Sequence, residues 1–428
     1  MIKIIDYADV SPETLFIRDA AVTRVADTVA EIIGNVRANG DAALFAYAEK
    51  FDGVRLSALR VSEAEIQAAV ESTGPQLLKI LRQAAENIRA FHQRQVRNSF
   101  IITETDGVIC GQRVLPIERV GLYVPGGTAA YPSSVLMNAI PAKIAGCRRI
   151  VMVTPPGKDG SVNPAILAAA SVAGVDEIYK TGGAQAIAAL AYGTESVPRV
   201  DKIVGPGNAY VAEAKKQVFG QVAIDMIAGP SEILVVADAT CNPVFVAADL
   251  LSQAEHDKMA SAVLVTDSRP LAQAVSAELE KQIPLLARSE IARASIDNNG
   301  KIIVAEDLSA AVDIANRLAP EHLEICTDNA FDYLNRIKNA GSVFLGKHCP
   351  EALGDYFAGP NHTLPTSGTA RFSSPLSVDD FVKKMQYTYY TREALGRVQG
   401  AVDTFAKAEG LTAHARSVTI RFENGEEV

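Results

Sequence analysis

The chain has 428 residues, of which 48% are apolar and 21% are charged, and its formal net charge at pH 7 is −9. One hydrophobic core rarely supports this length, so two or three domains are expected. The negative charge argues against a dedicated nucleic-acid-binding surface, which is normally basic. The sequence begins without a secretory signal and has no apolar run of the about 18 residues that span a bilayer, so a cytoplasmic protein is expected.

The first hundred residues are predicted to be helical. Valine and isoleucine recur at helical spacing over residues 20–38, and Gly40 is expected to end that helix. Ser62 and Glu65 form a capping-box signal for a second helix. A third helix is expected over residues 75–93.

From residue 118 onward, short apolar runs alternate with helical stretches. Continuous Val, Ile and Leu runs are typical of strands buried on both faces, and therefore of parallel sheets flanked by helices. A first series of predicted strands covers residues 120–124, 150–154, 177–179, 202–204 and 233–237. A second series covers residues 262–266, 301–305, 323–327 and 342–345. Two successive series predict two α/β domains.

The C-terminal segment is predicted to return to helix, over residues 377–394 and 396–409, before a short segment over residues 411–422. It is too long to be a simple extension of the last predicted strand. We therefore expect it to pack elsewhere, for example on a partner subunit.

Four glycine-rich turns follow predicted strands, at residues 124–127, 181–184, 204–208 and 228–231. Open α/β sheets bind ligands at the carboxyl ends of their strands, where glycine lets backbone N–H groups approach a phosphate. None of the turns fits the GxGxxG pattern, so a standard Rossmann fingerprint is absent. Tight-turn geometry would explain any one of them, whereas four together favour a binding edge.

A helix beginning at Asn242 and Pro243 carries the first group of candidate site residues. Asp249, Gln253 and His256 follow at spacings that place them on one helix face. Gln253 and His256 could reach one metal ion, with Asp249 nearby as a supporting group. A solvated helix face would produce the same spacing.

Further acidic and histidine residues lie in polar or glycine-rich segments. Glu321 and His322 are adjacent and suit an acid/base pair near neutral pH. Asp355 and His362 lie in a glycine-rich segment after a predicted strand, where residues carry function more often than packing. His414 lies in a polar context close to the C-terminus. Imidazole, amide and carboxylate ligands without thiolates indicate a catalytic zinc ion rather than a structural one.

The cysteines do not suggest a metal site of their own. Their positions are Cys110, Cys147, Cys241, Cys326 and Cys349, with no C-x-x-C pair. The spacing excludes a zinc ribbon and does not resemble a disulfide framework. Any metal is therefore expected to be held by His, Asp, Glu or Gln.

Residues 224–232 and 251–256 together resemble the signature of the histidinol dehydrogenase family. The match continues through residues 121–127, 182–190, 204–209, 320–323, 340–346, 360–362, 364–366 and 411–414. It covers nearly the whole chain. The resemblance implies a zinc-dependent, two-step oxidation of L-histidinol through L-histidinaldehyde to L-histidine by two NAD, at the end of histidine biosynthesis.

The resemblance also implies an architecture. It is an α/β fold with two Rossmann-like parallel-sheet domains in an aldehyde-dehydrogenase-like arrangement, with helical N-terminal and C-terminal arms. The implied divisions are an N-terminal arm (1–19), a discontinuous catalytic domain (20–119 and 236–376), a cofactor-contacting domain (120–235) and a C-terminal dimerisation arm (377–428). The implied assembly is a homodimer with a shared active site, and no nucleic acid or membrane takes part.

The family's functional residues carry over to individual positions of this chain. The implied zinc ligands are Gln253, His256, Asp355 and His414, the last supplied by the second subunit. The implied acid/base residues are Glu321, which would activate water, and His322, which would take protons in both steps. The implied histidinol contacts are the four zinc ligands together with Ser231, His322, His362 and Glu409. The implied NAD contacts are Tyr123, Gln185 and Asn208.

Other functions remain open at the level of sequence. A zinc hydrolase could use Glu321 to activate water without NAD, and a metabolite-binding protein could carry the same polar residues as structural groups. Oxidation of a different amino alcohol is a further alternative. Aldehyde dehydrogenases form a covalent intermediate on cysteine. No cysteine of this chain lies in the polar motifs, so no such intermediate is expected; Cys147 is the cysteine to check.

Overall fold

The computed structural model describes residues 1–10, 25–126 and 130–423. The chain divides into a larger compact unit, residues 1–96 and 117–381, and a smaller one, residues 97–116 and 382–428. Among the helices of the described ranges, none is both long enough and apolar enough to cross a membrane.

The strands of the described residues follow one another along the chain. They are β1 (Lys3–Asp6), β2 (Phe100–Ile102), β3 (Val108–Pro116), β4 (Arg119–Tyr123), β5 (Arg149–Thr154), β6 (Glu177–Lys180), β7 (Lys202–Val204), β8 (Ala223–Ile224), β9 (Glu232–Ala237), β10 (Ser261–Thr266), β11 (Lys301–Val304), β12 (His322–Cys326), β13 (Ser342–Leu345) and β14 (Val382–Tyr390).

The helices lie between these strands, with two more after β14. They are α1 (Ala26–Tyr47), α2 (Glu63–Ser72), α3 (Pro75–His92), α4 (Pro132–Ala145), α5 (Pro164–Ala173), α6 (Gly183–Tyr192), α7 (Ala209–Val218), α8 (Pro243–Ala254), α9 (Arg269–Gln282), α10 (Ser289–Asn298), α11 (Leu308–Leu318), α12 (Phe331–Leu334), α13 (Glu351–Tyr356), α14 (Arg392–Ala408) and α15 (Thr412–Thr419).

Two parallel sheets form the centre of the larger unit. One has the strand order β6-β5-β4-β7-β8 and the other β1-β11-β10-β9-β12-β13. Apolar clusters cover both faces of each sheet. Strand β9 is buried along its whole length, as expected for a central strand with helices on both sides. The α/β class, the two parallel sheets and the nine predicted strands are confirmed. The grouping of residues 233–237 with the first series is wrong, because β9 pairs with β10 and β12 in the six-stranded sheet.

The N-terminal segment differs from the helical prediction. Residues Lys3–Asp6 form a strand that pairs in parallel with β11 at the edge of the sheet, and the β-branched Ile4 and Ile5 favour a strand. Residues 11–24, which include much of the predicted N-terminal arm and the start of the predicted first helix, lie outside the described residues. Gly40 interrupts α1 with a φ of 49°, as its predicted role as a helix breaker requires.

The smaller unit contains an antiparallel sheet with the order β14-β3-β2, followed by α14 and α15. The predicted helix over residues 377–394 is wrong here, because residues 382–390 form β14 and pair with the whole of β3. Strand β14 is rich in Tyr and Thr, which favour a pleated sheet over a helix. The predicted helix over residues 396–409 is confirmed by α14. The implied domain boundaries stay predictions.

Candidate active site

The amino-terminal ends of two neighbouring strands bring the predicted acid/base residues together. His322 is the first residue of β12, and β12 pairs in parallel with β9, which begins at Glu232. Glu321 precedes β12, just as Ser231 precedes β9. Residues at one edge of neighbouring parallel strands lie close in space. The candidate site therefore lies at the amino-terminal edge of the six-stranded sheet.

His322 is held in one orientation by the backbone of β9. Its side chain is almost fully buried, and Nδ1 lies 3.0 Å from the carbonyl oxygen of Glu232. A carbonyl oxygen can only accept, so Nδ1 donates and carries the ring hydrogen. Nε2 is buried and has no hydrogen-bond partner among the described residues. Burial lowers the pKa of His322, which favours a neutral ring with its lone pair on Nε2.

Glu321 lies on the other side of the imidazole. Its Oε2 accepts a hydrogen bond from the backbone N–H of Glu232 at 2.9 Å and lies 3.7 Å from Nδ1 of His322. Burial raises the pKa of Glu321 well above its usual range, and the charges of Glu232, Asp355 and Glu351 raise it further. A carboxyl group with a raised pKa can exchange a proton near neutral pH.

Helix α8 ends at the site. Asn242 caps this helix and Pro243 occupies its first position, as predicted. Gln253 lies in the last turn and is buried, and the N–H of His256 bonds to the carbonyl oxygen of Gln253 at 3.1 Å. Burial lowers the pKa of His256, and the negative charge of Asp355 raises it by a smaller amount. The helix ends at Ala254, so His256 lies in the turn that follows α8 rather than on the predicted helix face, although it stays close to Gln253.

The short helix α13 supplies Asp355, which contacts His362 of the following loop. Nδ1 of His362 lies 3.1 Å from the backbone carbonyl oxygen of Asp355 and 3.4 Å from its Oδ1, and Nε2 lies 3.2 Å from Oγ of Ser134. Burial alone would raise the pKa of Asp355, but the hydrogen bond and charge from His362 lower it. Asp355 is thus held as a carboxylate.

Glu351 also belongs to the site, although the sequence analysis did not select it. Its carboxyl group, His322 and Asp355 offer ligand atoms that all lie within 4.8 Å of one another. Burial and the charge of Asp355 raise the pKa of Glu351 to about 8. The signal was present in the sequence, because Glu351 and Asp355 are four residues apart and such residues share a helix face.

Asp249 occupies a different place from the one predicted. Its carboxyl group lies near that of Glu324 on β12, and the side-chain ligand atoms of these two residues and Cys326 all lie within 4.8 Å of one another. Glu324 in turn accepts a 2.7 Å hydrogen bond from the backbone N–H of Glu351. Asp249 therefore supports the start of α13 rather than the residues at the end of α8.

Two of the predicted NAD residues lie at the carboxyl edge of the five-stranded sheet. Tyr123 ends β4, and its hydroxyl accepts a 3.1 Å hydrogen bond from the N–H of Gly183. Gly183 belongs to the second glycine-rich turn and is the first residue of α6. Gln185 is buried in the first turn of α6. Gly183 has a φ of 65°, a left-handed conformation that favours glycine, and a Cβ there would lie 2.8 Å from Oε1 of Gln185 and displace that side chain.

Asn208 caps α7 after the third glycine-rich turn. Its Oδ1 accepts from the N–H groups of Tyr210 and Val211 at 3.1 and 3.2 Å, which leaves the exposed amide nitrogen able to donate to a ligand. Gly127 of the first turn lies outside the described residues.

The remaining predicted residues fall in two places. Ser231 lies just before β9 in the larger unit, and its carbonyl oxygen accepts from the N–H of Ser261 at 2.9 Å. Glu409 and His414 lie in the smaller unit, at the end of α14 and in α15, where both are exposed. Their roles stay predictions. Burial raises the pKa of Cys147 to about 11, which disfavours the nucleophilic thiolate.

Comparison with known proteins identifies the family. The model of the family described as histidinol dehydrogenase matches residues 17–422. The histidinol dehydrogenase of Clostridium acetobutylicum is 59% identical over 396 residues, 92% of each chain, and that of Listeria monocytogenes serovar 1/2a is 58% identical over 400 residues, 94% of this chain and 93% of the relative. The crystal structure of histidinol dehydrogenase from Elizabethkingia anophelis superposes with a TM-score of 0.93 at 40% identity, covering 99% of this chain and 98% of that one. The chain therefore belongs to the histidinol dehydrogenase family, a family of NAD-dependent oxidoreductases.

Proposed function

We propose that this enzyme oxidises L-histidinol to L-histidine in two zinc-dependent steps through L-histidinaldehyde, with two NAD. One observation carries the proposal most directly. His322 presents a buried, unpartnered Nε2 beside the carboxyl groups of Asp355 and Glu351, in a chain of the histidinol dehydrogenase family. A neutral imidazole fixed in this tautomer can accept a proton from a substrate hydroxyl.

The residues present suit a divalent cation. Asp355 is held as a carboxylate at this site, and carboxylate oxygen is a ligand that zinc accepts. Gln253 and His256 add amide and imidazole donors at the adjacent end of α8, and oxygen and nitrogen donors without thiolate suit catalytic zinc. We propose Gln253, His256 and Asp355 as ligands, with His414 of a second subunit as the fourth. Bound zinc would fix the imidazole and amino nitrogens of histidinol against the reacting residues.

The proposed reaction gives acid/base roles to His322 and Glu321. In the first step the alcohol gives a hydride equivalent to NAD and its hydroxyl proton to His322. Addition of water to the aldehyde, assisted by Glu321, gives the hydrate, which loses a second hydride equivalent to a second NAD and a second proton to His322. The products are the carboxylate, two NADH and three protons. Ser231, His362 and Glu409 are proposed to contact histidinol.

The cofactor, assembly and location complete the proposal. Tyr123, Gln185 and Asn208 are proposed to hold NAD, since they lie beside the glycine-rich turns that follow β4, β6 and β7. We propose a homodimer, in which the second subunit supplies His414 as the fourth zinc ligand. We also propose that the enzyme is cytoplasmic.

NADH formation from histidinol tests the proposal. The zinc-loaded protein is expected to form two NADH per histidinol consumed, with histidinaldehyde trapped by a carbonyl reagent when the second step is slowed. The protein without metal is expected to form none. Absence of NADH from the zinc-loaded protein would refute the dehydrogenase function, and NADH from another amino alcohol alone would refute the substrate.

A further inference from the structure

Glu351 is buried, like His322, and both its carboxyl group and its backbone are held in place. Its side chain is 1% exposed. Oε2 accepts a 2.7 Å hydrogen bond from Oγ of Ser252. The backbone N–H of Glu351 donates to Glu324 at 2.7 Å. The position of Glu351 is therefore fixed by α8 and β12 together.

The second oxygen of Glu351 points at the reactive side of His322. Oε1 lies 3.9 Å from Nε2 of His322, and among the described residues neither atom accepts a hydrogen bond from a nitrogen or a hydroxyl. Oε1 also faces the carboxyl group of Asp355, which is likewise an acceptor when ionised. Buried acceptors without donors are costly, so a ligand that brings donors into this space would be favoured.

The proposed reaction creates a molecule with two donors on one carbon. The alcohol of the first step has one hydroxyl group, and His322 alone can accept the hydrogen bond that this group donates. The aldehyde hydrate of the second step has two hydroxyl groups on the same carbon. Two acceptor atoms 3.9 Å apart can each receive one of them.

We propose that Glu351 is a catalytic residue of the second oxidation, in which its Oε1 accepts a hydrogen bond from the hydroxyl of the aldehyde hydrate that does not donate to His322. This inference rests on the proposed function. Glu321 cannot supply this contact at the same place, because it lies on the Nδ1 side of the ring. Glu351 thereby orients the hydrate so that its C–H bond, rather than either C–O bond, is directed at the cofactor.

Separate assays of the two steps test this role. Glu351→Ala is expected to slow oxidation of supplied histidinaldehyde about 10-fold, the effect of losing one hydrogen bond. Oxidation of histidinol to the aldehyde should change by less than about threefold, so that trapped aldehyde accumulates. Glu351→Gln keeps one acceptor oxygen and is expected to recover at least part of the loss.

Two further measurements separate this role from its alternatives. Zinc content and histidinol affinity are expected to match those of the unsubstituted protein, since Glu351 is not proposed as a ligand or as a contact of the alcohol. Glu177→Gln changes a buried glutamate at the amino end of β6 and serves as the matched control, with both steps retained.

The outcomes are distinct. Loss of zinc from Glu351→Ala, an equal loss in both steps, or a Gln variant as impaired as the Ala variant would overturn the proposal. Failure of the unsubstituted, zinc-loaded protein to form NADH from histidinol would instead refute the proposed function.

Discussion

Lys215 and Asp225 form an ion pair whose side chains are only 2% and 1% exposed. Both residues also hold Gly205, since Nζ of Lys215 donates to its carbonyl oxygen at 3.0 Å and Oδ2 of Asp225 accepts from its N–H at 2.7 Å. Gly205 has a φ of 115° and opens the turn that leads to Asn208. The buried pair thus fixes the backbone that places a proposed NAD contact.

Lys215→Met is expected to destabilise the protein strongly and to raise KM for NAD. The substitution leaves Asp225 buried without its partner, which typically costs about 3–5 kcal/mol. Urea unfolding measures the free energy of unfolding, and initial rates at varied NAD measure KM. Lys216→Met is the control, because the neighbouring side chain is 59% exposed. Equal effects of the two substitutions would contradict a special role for the buried pair.

His256→Ala is expected to abolish zinc binding and activity. The imidazole is a proposed zinc ligand just after α8. Loss of one of the four ligands leaves the coordination of the zinc ion incomplete. Metal analysis of the purified protein measures zinc directly. His348→Ala, at an exposed histidine, should retain full zinc content. Unchanged zinc and stability in the His256 variant would support the alternative in which these polar residues are structural.

Glu321→Gln is expected to impair aldehyde oxidation more than alcohol oxidation. The carboxyl group is proposed to activate the water that forms the hydrate, a step that the first oxidation does not need. General base catalysis typically contributes 10²–10⁴-fold, so a loss of about this size is expected in the second step alone. Rates measured separately with histidinol and histidinaldehyde check it. Equal losses in the two assays would contradict the assigned role.

Asp52→Asn is expected to stabilise the protein at alkaline pH. Oδ2 of Asp52 is buried without a hydrogen-bond partner among the described residues, and burial raises the pKa of this carboxyl group from 3.8 to about 6. The folded pKa exceeds the unfolded one, so stability is lost as the pH rises through about 6. Because the group is only partly buried, we expect a gain of about 1 kcal/mol at pH 8 and none at pH 4.

Urea unfolding at both pH values checks this expectation. Asp159→Asn is the control, because Asp159 is exposed and accepts hydrogen bonds from Ser161 that lower its pKa. It should give no stabilisation at pH 8. A gain for Asp52→Asn that is equally large at pH 4 would exclude ionisation as its cause.

The sequence predicted the central sheets well because buried parallel strands are continuous apolar runs. It also predicted the start of α8 at Asn242 and Pro243, but not its end at Ala254, which leaves His256 in the following turn. The proximity of Glu321 to His322 Nδ1, and of Glu351 to Nε2, depends on how β12 packs against its neighbours. Spacing along the chain carries no information about that packing.

The wrong predictions for β14, β1 and Asp249 have a common physical cause, because each depends on contacts with another element. Strand β14 contains few strongly apolar residues, so its pleated periodicity is weak and its long antiparallel partner β3 determines its conformation. Strand β1 is equally dependent on a partner, because its sequence is short and only half buried. Asp249 was assigned from helix periodicity alone, whereas the contact with Glu324 comes from another element.

The pairing of β1 with β11 affects how the chain folds during its synthesis. Lys3 pairs with Lys301, so β1 is synthesised long before its partner, and two other strands of the same sheet, β9 and β10, are made in between. Ile2, Ile4 and Ile5 have no sheet to pack on during that interval. Contacts between such distant parts of a chain form slowly, so until β1 pairs with β11 the unpaired edge of β11 is a place where unfinished chains can associate.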